Sequence, residues 1–368
     1  MLLTSTALVA FAGAAAAEGH TSTTFSGSAT LGYNDIGDLA PVADSDDGFY
    51  WDSELGVLMS AELNGGLTAS AEFAIEVANG GTGVDLVSDS YVLTLSSDIA
   101  SLAIGDLDPV AEDRWSGVDG DTVRGFNDQD DHFNAITDPE SPGAGFEAML
   151  VGEATIAGFT AAVSYGVDAN GDTVEDPLDA MQLHVAGAFG NFGLQVAYQE
   201  EFNSVDSIFG VSGSTTFVGA DVQVSYIDDG TENSLGLGAS YPVGPVVLGG
   251  YYSINDVEED NYGVSADYAS GAFAVATAYD HTGSSDLNEY EIDVSYDVGN
   301  GLMVFGGLFG DDVDANDMGF YAAATYDLGG GAELLASYAD DGNDAEYNDE
   351  VGGPEYMEGT TIEVSFSF

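Results

Sequence analysis

The side chains most able to do chemistry are concentrated in one irregular segment, residues 106–144. Both basic residues of the 368-residue chain, Arg114 and Arg124, lie in this segment. Around them lie eleven carboxylates: Asp106, Asp108, Glu112, Asp113, Asp119, Asp121, Asp128, Asp130, Asp131, Asp138 and Glu140. Such a set can attract cations, while the two guanidinium groups can either contact a solute or hold the segment folded through ion pairs. The segment follows no helix or strand period, and a structureless connection of this length usually serves a function.

The composition of the whole chain limits what that function can be. Sixty-five Asp and Glu residues against two Lys and Arg give a formal net charge of -63. Nucleic-acid binding is excluded, because phosphate contacts need Lys and Arg, and docking on an anionic membrane surface is disfavoured for the same reason. The 45% of hydrophobic residues nevertheless provides enough apolar surface to fold.

The sequence shows no catalytic constellation. Cysteine is absent, and the four histidines, His20, His132, His184 and His281, do not cluster at metal-ligand or triad spacing. No GxSxG, HExxH or P-loop pattern occurs. We therefore predict no enzyme activity, no catalytic residue and no defined metal or cofactor site. The acidic loops could still hold Ca²⁺ or Mg²⁺ weakly through oxygen ligands.

The segments that must position the charges alternate apolar and polar residues with a period of two. In residues 51–63, for example, Trp51, Leu55 and Val57 share one parity while Asp52 and Glu54 share the other. Runs of this kind, about nine to eleven residues long, predict β-strands with one apolar and one polar face. No carboxylate falls on the apolar parity of these runs.

The connections between the runs are of two kinds that take turns. Short, nearly neutral turns occur at 64–66, 190–191, 242–245, 270–271, 299–301 and 329–331. Longer, strongly acidic connections occur at 35–47, 168–179, 228–232, 256–260, 311–317 and 340–358. Gly- and Asn-rich turns of the first kind are typical of tight hairpins. In an up-and-down antiparallel sheet, this order places all the acidic loops at one end.

Alternation alone is equally compatible with a soluble β-sandwich and with a closed transmembrane barrel. Residues 1–17, MLLTSTALVAFAGAAAA, form the apolar stretch and small-residue cleavage site of a secretory signal, so we expect the mature chain to begin near Glu18. Strands of about nine to eleven residues cross a bilayer when tilted, and aromatic residues recur near the strand ends. Because a lipid-facing sheet must have no open edge, these features favour a barrel.

Four motifs in order carry a resemblance to a known family. They are SLAIGD at 101–106 followed by a long loop, AFGNFGLQVAYQ at 188–199, YDLGGGAELLASYAD at 326–340 and TTIEVSFSF at 360–368. The chain resembles the general diffusion porins of Gram-negative outer membranes, in particular the alphaproteobacterial, Rhodobacter-like branch. The resemblance covers residues 18–368 as a single domain. It implies a homotrimer of water-filled barrels in the outer-membrane lipid, with sixteen strands as the usual number, whereas the runs in this sequence allow 16 to 20.

The resemblance also implies roles for the charged residues. The segment at 106–144 takes the place of the third external loop, which folds inward and constricts the pore in the family. The candidate constriction residues are Asp106, Asp108, Glu112, Asp113, Arg114, Asp119, Asp121 and Arg124. The candidate wall residues, on the polar parity of the strands, are Asp52, Glu54, Glu62, Glu72, Glu76, Glu147, Asp221, Asp267, Glu291, Asp293 and Glu333. Family porins commonly place basic wall residues opposite the acidic loop, and this chain departs from that pattern.

We therefore predict an all-β, transmembrane, up-and-down antiparallel barrel whose pore is negative nearly throughout. It would pass small hydrophilic solutes, cations above all, by diffusion. A substrate-selective sugar-type channel is the first alternative, although the aromatic residues mostly fall on the outer parity. A secreted acidic β-sandwich protein is the second. Adaptation to a saline habitat is an alternative explanation of the acidic loops, and it explains the wall carboxylates less well.

Overall fold

The structure is a computed structural model of the chain. It describes residues 21–36, 48–79, 87–118, 148–167, 181–200, 207–230, 233–255, 260–283, 286–312, 318–342 and 351–368. The predicted signal peptide at 1–17 and the expected start of the mature chain lie outside the described residues. No helix within the described ranges is both long and apolar enough to cross a membrane.

Twenty strands and one short helix make up the regular structure of the described residues. The helix α1 spans Val110–Arg114. The strands are β1 (Thr21–Asp35), β2 (Gly48–Leu63), β3 (Leu67–Asn79), β4 (Val87–Ser96), β5 (Ala100–Gly105), β6 (Ala148–Ile156), β7 (Phe159–Val167), β8 (Met181–Phe189), β9 (Phe192–Gln199), β10 (Ile208–Phe217), β11 (Ala220–Asp228), β12 (Asn233–Val243), β13 (Val246–Asn255), β14 (Asn261–Ser270), β15 (Phe273–Thr282), β16 (Leu287–Gly299), β17 (Leu302–Asp311), β18 (Gly319–Gly329), β19 (Ala332–Asp340) and β20 (Gly359–Ser367).

The strands form one closed sheet. Each strand pairs antiparallel with the next in the chain, and β20 returns to pair with β1 from Ser28↔Ser367 to Asp35↔Thr360. Closure satisfies the backbone groups that an open sheet would leave unpaired. The predicted barrel is therefore confirmed and the sandwich is wrong. The strand number is 20, at the upper limit that the sequence allowed and above the sixteen usual in the family.

The two kinds of connection lie at opposite ends of the barrel, as predicted. Each even-numbered strand except β20 is followed by a turn of two or three residues, and each odd-numbered strand by a longer connection. Aspartates shape two of the short turns: the Gly299 N–H donates to Asp297 Oδ1 (2.8 Å), and the Gly329 N–H donates to Asp327 Oδ1 (2.7 Å). Both glycines adopt positive φ, which such turns require. These two carboxylates therefore have a local structural role.

The two faces of the sheet differ as the alternation predicts. Large apolar side chains such as Leu93, Val224 and Ile292 are exposed on the outer face, where lipid would cover them. At the end with the long connections, the outer-face Tyr198 and Tyr226 donate hydrogen bonds to carboxylates two residues further on, at 2.7 and 2.9 Å. Phenols placed in this way suit the boundary between hydrocarbon and water.

The inner face is polar over most of its area, but apolar clusters occur where chain segments fold onto it. Residues 110–118 pack on β9–β11 and on β13–β15. Residues 351–356 pack on β17–β19. The barrel therefore has its buried apolar cores inside the lumen, under two segments that come from the end with the long connections.

Candidate functional site

The connection after β5, residues 106–144, which we call the insert, leaves the barrel wall at a glycine. Gly105 has a φ of +150°, and a Cβ at this position would collide with the backbone oxygen of Tyr91 on β4. The Asp106 N–H donates to that same Tyr91 oxygen (2.9 Å), so the ladder between the strands ends here. The close approach requires glycine, and the chain turns from this point toward the lumen.

Helix α1 is held on the inner wall by side chains of β7 and β8. The Val110 N–H donates to Ser164 Oγ (3.1 Å), and the N–H groups of Ala111 and Glu112 donate to Gln182 Oε1 (2.6 and 3.1 Å). The first N–H groups of a helix have no partner within the helix, and these wall residues supply one. Ser164 and Gln182 are fully buried beneath the helix.

Trp115 anchors the insert through apolar contact. Its side chain is 4% exposed and packs with Ala197, Ile208 and Ile227 of β9–β11. A Cβ on Gly210 would lie 2.8 Å from the indole ring, so the ring rests directly on the glycine backbone. The space for the tryptophan therefore exists because the wall carries a glycine at this point.

Beyond Trp115 the insert continues along the wall toward β15. Gln223 Nε2 donates to the backbone oxygens of Ser116 (3.1 Å) and Gly117 (2.6 Å), and Val118 packs with Tyr251 and Ala278. The predicted inward fold of the insert is therefore confirmed for residues 106–118. Asp119, Asp121 and Arg124, which were also predicted to belong to the constriction, lie outside the described residues.

Arg114 forms ion pairs. Its Nη1 lies 2.6 Å from Glu153 Oε2 on β6, and its Nε lies 3.3 Å from Asp113 Oδ2. The side chains of Arg114 and Glu153 are 29% and 33% exposed, so water still screens the pair. Glu153 was absent from the predicted site, although it shares the polar parity of its strand with Glu147. Continuing that alternation along β6 would have found it.

Ten of the eleven predicted wall carboxylates lie on the inner face, and Glu147 lies outside the described residues. They fall into three groups according to their strands and their exposure. Four are exposed on β2 and β3, with Glu76 half-buried beside them: Asp52, Glu54, Glu62 and Glu72. Three more are exposed on β11, β14 and β19, namely Asp221, Asp267 and Glu333. Glu291 and Asp293 on β16 are buried; the Tyr321 hydroxyl donates to Asp293 Oδ1 at 2.5 Å.

Several inner-face carboxylates stand directly opposite one another in the sheet. Glu54 pairs with Glu76 across β2 and β3. On the other side of the barrel, Glu289 lies between Asp280 and Asp311 on its two neighbouring strands. Like charges at such positions are unfavourable, and Arg114 is the one Lys or Arg within the described ranges. The lumen therefore carries an excess of negative charge that solvent cations must balance.

Below the insert, toward the short turns, the lumen is lined by small polar residues. A cavity of about 490 Å³ lies against β10–β14, with Ser214, Ser240, Ser265, Asp221 and Asp267 in its wall. Serine has a small side chain and glycine has none, so this part of the lumen stays open. The arrangement can attract and pass hydrated ions.

One cluster of three carboxylates has the ligand type and spacing to hold a divalent cation. Asp340, Asp341 and Glu358 place one carboxylate oxygen each within 4.8 Å of one another at the end with the long connections. Oxygen ligands of this kind suit Ca²⁺ and Mg²⁺. This is the described place that best matches the expected weak binding at the acidic loops.

Neutralising Arg114 and neutralising Glu153 should shift the K⁺ over Cl⁻ permeability ratio in opposite directions. Arg114→Gln leaves Glu153 uncompensated, so we expect the K⁺ over Cl⁻ permeability ratio to rise by up to about twofold in dilute salt. Glu153→Gln should lower it by a similar factor. Reversal potentials of both variants check this. If both variants shift the ratio in the same direction, the pair acts through the fold of the insert and not through its charge.

A closed sheet with an apolar exterior, a charged lumen and an inward-folded loop defines a transmembrane β-barrel channel. The sequence model described as "Gram-negative porin" matches residues 4–308 and 236–346, and the chain belongs to this family. The resemblance stated from the sequence is thereby confirmed, and the chain is an integral protein of the bacterial outer membrane.

The chain is also similar to individual proteins. The chain is 25% identical over 275 residues to a porin of Rhodobacter capsulatus. The matched region covers 71% of this chain and 87% of that protein. Among solved structures, variants of the Rhodopseudomonas blastica porin match 95% of this chain and 100% of theirs. One of them has a TM-score of 0.42 at 14% identity, and another a TM-score of 0.41 at 14%.

Proposed function

We propose that this porin is a passive channel that prefers cations and admits small hydrophilic solutes. Family membership indicates a channel rather than an enzyme. The observation that supports the cation preference is the set of exposed carboxylates on the inner wall of β2 and β3. Asp52, Glu54 and Glu72 are exposed there on the inner face, while the described basic residue, Arg114, is bound to Glu153.

The size of the effect follows from Coulomb's law. A carboxylate about 5 Å from a passing cation contributes roughly 0.8 kcal/mol even in the dielectric of bulk water. Several such groups together would enrich cations about tenfold or more. Salt weakens the preference, because the Debye length falls from about 8 Å at physiological ionic strength to about 3 Å at 1 M.

A substrate-selective sugar-type channel is less well supported. Such a channel needs aromatic rings exposed along the lumen. Among the described residues, the inner-face rings of Tyr251 and Tyr321 are buried, and those of Phe305 and Phe309 are partly buried against other side chains. Tyr50 on β2 is half-buried, and its hydroxyl donates to Glu363 Oε2 (2.7 Å). These rings present no continuous surface to a passing sugar.

Permeation through proteoliposomes tests the channel function. Neutral sugars of increasing size should enter without saturation up to a size limit. Of two solutes of equal size, the cationic one should enter faster than the anionic one. Saturable uptake of one sugar would favour the substrate-selective channel, and equal entry of the two ions would contradict the cation preference.

We also propose that the barrel assembles as a homotrimer in outer-membrane lipid. The family supports this assembly in general terms, and crosslinking in native membranes would test it. A ladder that ends at the trimer is expected, whereas monomers alone would contradict the proposal.

For the acidic loops, we propose weak binding of Ca²⁺ or Mg²⁺ at Asp340, Asp341 and Glu358. Millimolar Ca²⁺ should raise the unfolding temperature of the parent protein, and Glu358→Gln should reduce the rise. Asp286→Asn, at an exposed turn outside this group, is the matched control and should keep the full effect. An equal rise in both variants would show that Ca²⁺ acts on the general surface charge.

A further inference from the structure

The inner face of β17–β19 breaks the rule that the lumen side of a porin strand is polar. Many inward positions on these strands are apolar or aromatic, namely Phe305, Phe309, Tyr321, Ala323, Leu335 and Ala339, although Glu333 and Ser337 share the inner face of β19. Tyr321 and Ala339 are almost completely buried, at 4% and 0% exposure. A water-filled channel would not leave such a surface bare, so something must cover it.

The cover is a segment of the same chain. Residues 351–356 come from the connection between β19 and β20 and form a small hairpin, which we call the terminal hairpin. Val351 and Tyr356 exchange both backbone hydrogen bonds, at 2.8 and 3.0 Å, and both side chains are buried. The Tyr356 ring lies 5.2 Å from the Tyr321 ring, centroid to centroid. The terminal hairpin therefore packs on the inner wall as part of a core.

The return from the terminal hairpin to β20 is fixed as well. Asn34 on β1 is fully buried; its Nδ2 donates to the backbone oxygen of Glu358 (2.9 Å), and its Oδ1 accepts from the Thr361 hydroxyl (3.0 Å). Gly352 lies against Tyr321, where a Cβ would come within 2.6 Å of the ring. Burial, together with the smaller effect of the Glu333 carboxylate, raises the pKa of the Tyr356 phenol to about 12. Fixed contacts at both ends make this segment part of the wall and not a mobile lid.

We propose that the terminal hairpin is a second constriction element, which works with the insert to confine the ion path to the side of the barrel formed by β1–β4. Residues 110–118 contact the inner wall at β6–β11, β13 and β15, and the terminal hairpin covers β17–β19. The inner wall of β2 and β3 keeps exposed carboxylates between these two covers. This inference rests on the proposed channel function. It names Val351 and Tyr356 as residues that position the constriction.

Displacing the terminal hairpin tests the proposal. Val351→Asp places a charge in the apolar cluster, and Gly352→Val is a second variant that adds no charge but pushes against Tyr321 and strains the backbone at a positive φ. In about 1 M KCl, where charge effects are screened, we expect the single-channel conductance of either variant to rise about 1.5-fold, because the open cross-section grows. Glu355→Gln, exposed in the same hairpin, is the matched control and should leave the conductance unchanged.

A labelling experiment shows whether the hairpin has moved. The chain has no cysteine, so single cysteines can be introduced cleanly. Ala339→Cys, under the hairpin, should resist a water-soluble thiol reagent in the parent and react in the Val351→Asp background. Ser214→Cys, exposed in the lumen, should react in both. Heat-modifiable gel mobility confirms that each variant is a folded barrel.

The outcomes separate this inference from the proposed function. Labelling of Ala339→Cys in a displaced variant without a rise in conductance would overturn the second constriction while leaving the channel function intact. Rapid labelling of Ala339→Cys in the parent would also overturn it, because the wall would then be open. Absence of channels in the parent would instead contradict the proposed function itself.

Discussion

Replacing Asp52, Glu54, Glu72 and Glu76 by their amides should lower the K⁺ over Cl⁻ permeability ratio about three- to tenfold in dilute salt. These four side chains lie on the inner wall of β2 and β3, and three of them are exposed. Each substitution removes an attraction of roughly 0.8 kcal/mol for a cation at about 5 Å. Reversal potentials under a salt gradient measure the change, which should shrink as the salt concentration rises.

A variant with the same loss of charge outside the lumen is the control. Glu200→Gln, Asp228→Asn, Asp260→Asn and Asp312→Asn also remove four charges, at the rim with the long connections. Three of these residues accept hydrogen bonds from outer-face tyrosines, and Asp312 accepts from Asn288. The control should keep most of the selectivity. An equal loss in both variants would mean that overall charge, and not the wall, sets the preference.

Trp115→Ala should release the insert and raise the single-channel conductance about twofold in about 1 M KCl, where the charge is screened. A buried tryptophan contributes about 3–5 kcal/mol to the packing it makes, and Trp115 is the central apolar contact of the insert with β9–β11. Gly210→Val should act similarly by excluding the ring from its place. The barrel itself should stay folded, because the closed strand ladder does not depend on these contacts.

The matched control is Trp51→Ala. Trp51 is the same residue type, but it lies on the outer face and is 44% exposed. Its removal should leave the conductance unchanged, although it can weaken the contact with lipid. Unchanged conductance in Trp115→Ala, in a variant whose insert is shown by proteolysis to be released, would contradict the role of the insert as a constriction.

Much of the barrel could be predicted because a strand carries its orientation locally. In β2, for example, apolar residues such as Trp51 and Leu55 alternate with Asp52 and Glu54. This alternation predicts which side of the strand faces lipid without reference to the neighbouring strands. The order of short and acidic connections states which end they occupy. Strand number was harder to predict, because the family norm of sixteen favoured merging runs that the structure keeps separate.

The covering of the inner wall could not be predicted from such local patterns. Gln182 and Gln223 lie on the polar parity of their strands, which does not distinguish them from other polar wall residues, and their role as anchors depends on contacts with residues more than 70 positions away. Exposure of Asp52 and burial of Asp293 likewise depend on which segments fold over them. The sequence of a single strand does not indicate which other segment of the chain packs on its inner face.

A visible pattern did mark the terminal hairpin. The stretch LMVFGGLF at 302–309 is apolar on both parities, and Leu334 and Leu335 are both apolar as well. Loss of alternation in a barrel strand indicates that its inner face is covered by protein. Applied to β17–β19, this criterion would have predicted a segment inside the lumen, although it would not have named residues 351–356.

The most direct test of the whole account is the zero-current potential of the purified protein in a planar bilayer under an about tenfold KCl gradient. An acid-lined path predicts a potential whose sign and size show strong K⁺ preference, and which shrinks as both salt concentrations rise together. Stable channels with no ion preference would contradict the account, because the wall carboxylates would then have no effect on the ions that pass them.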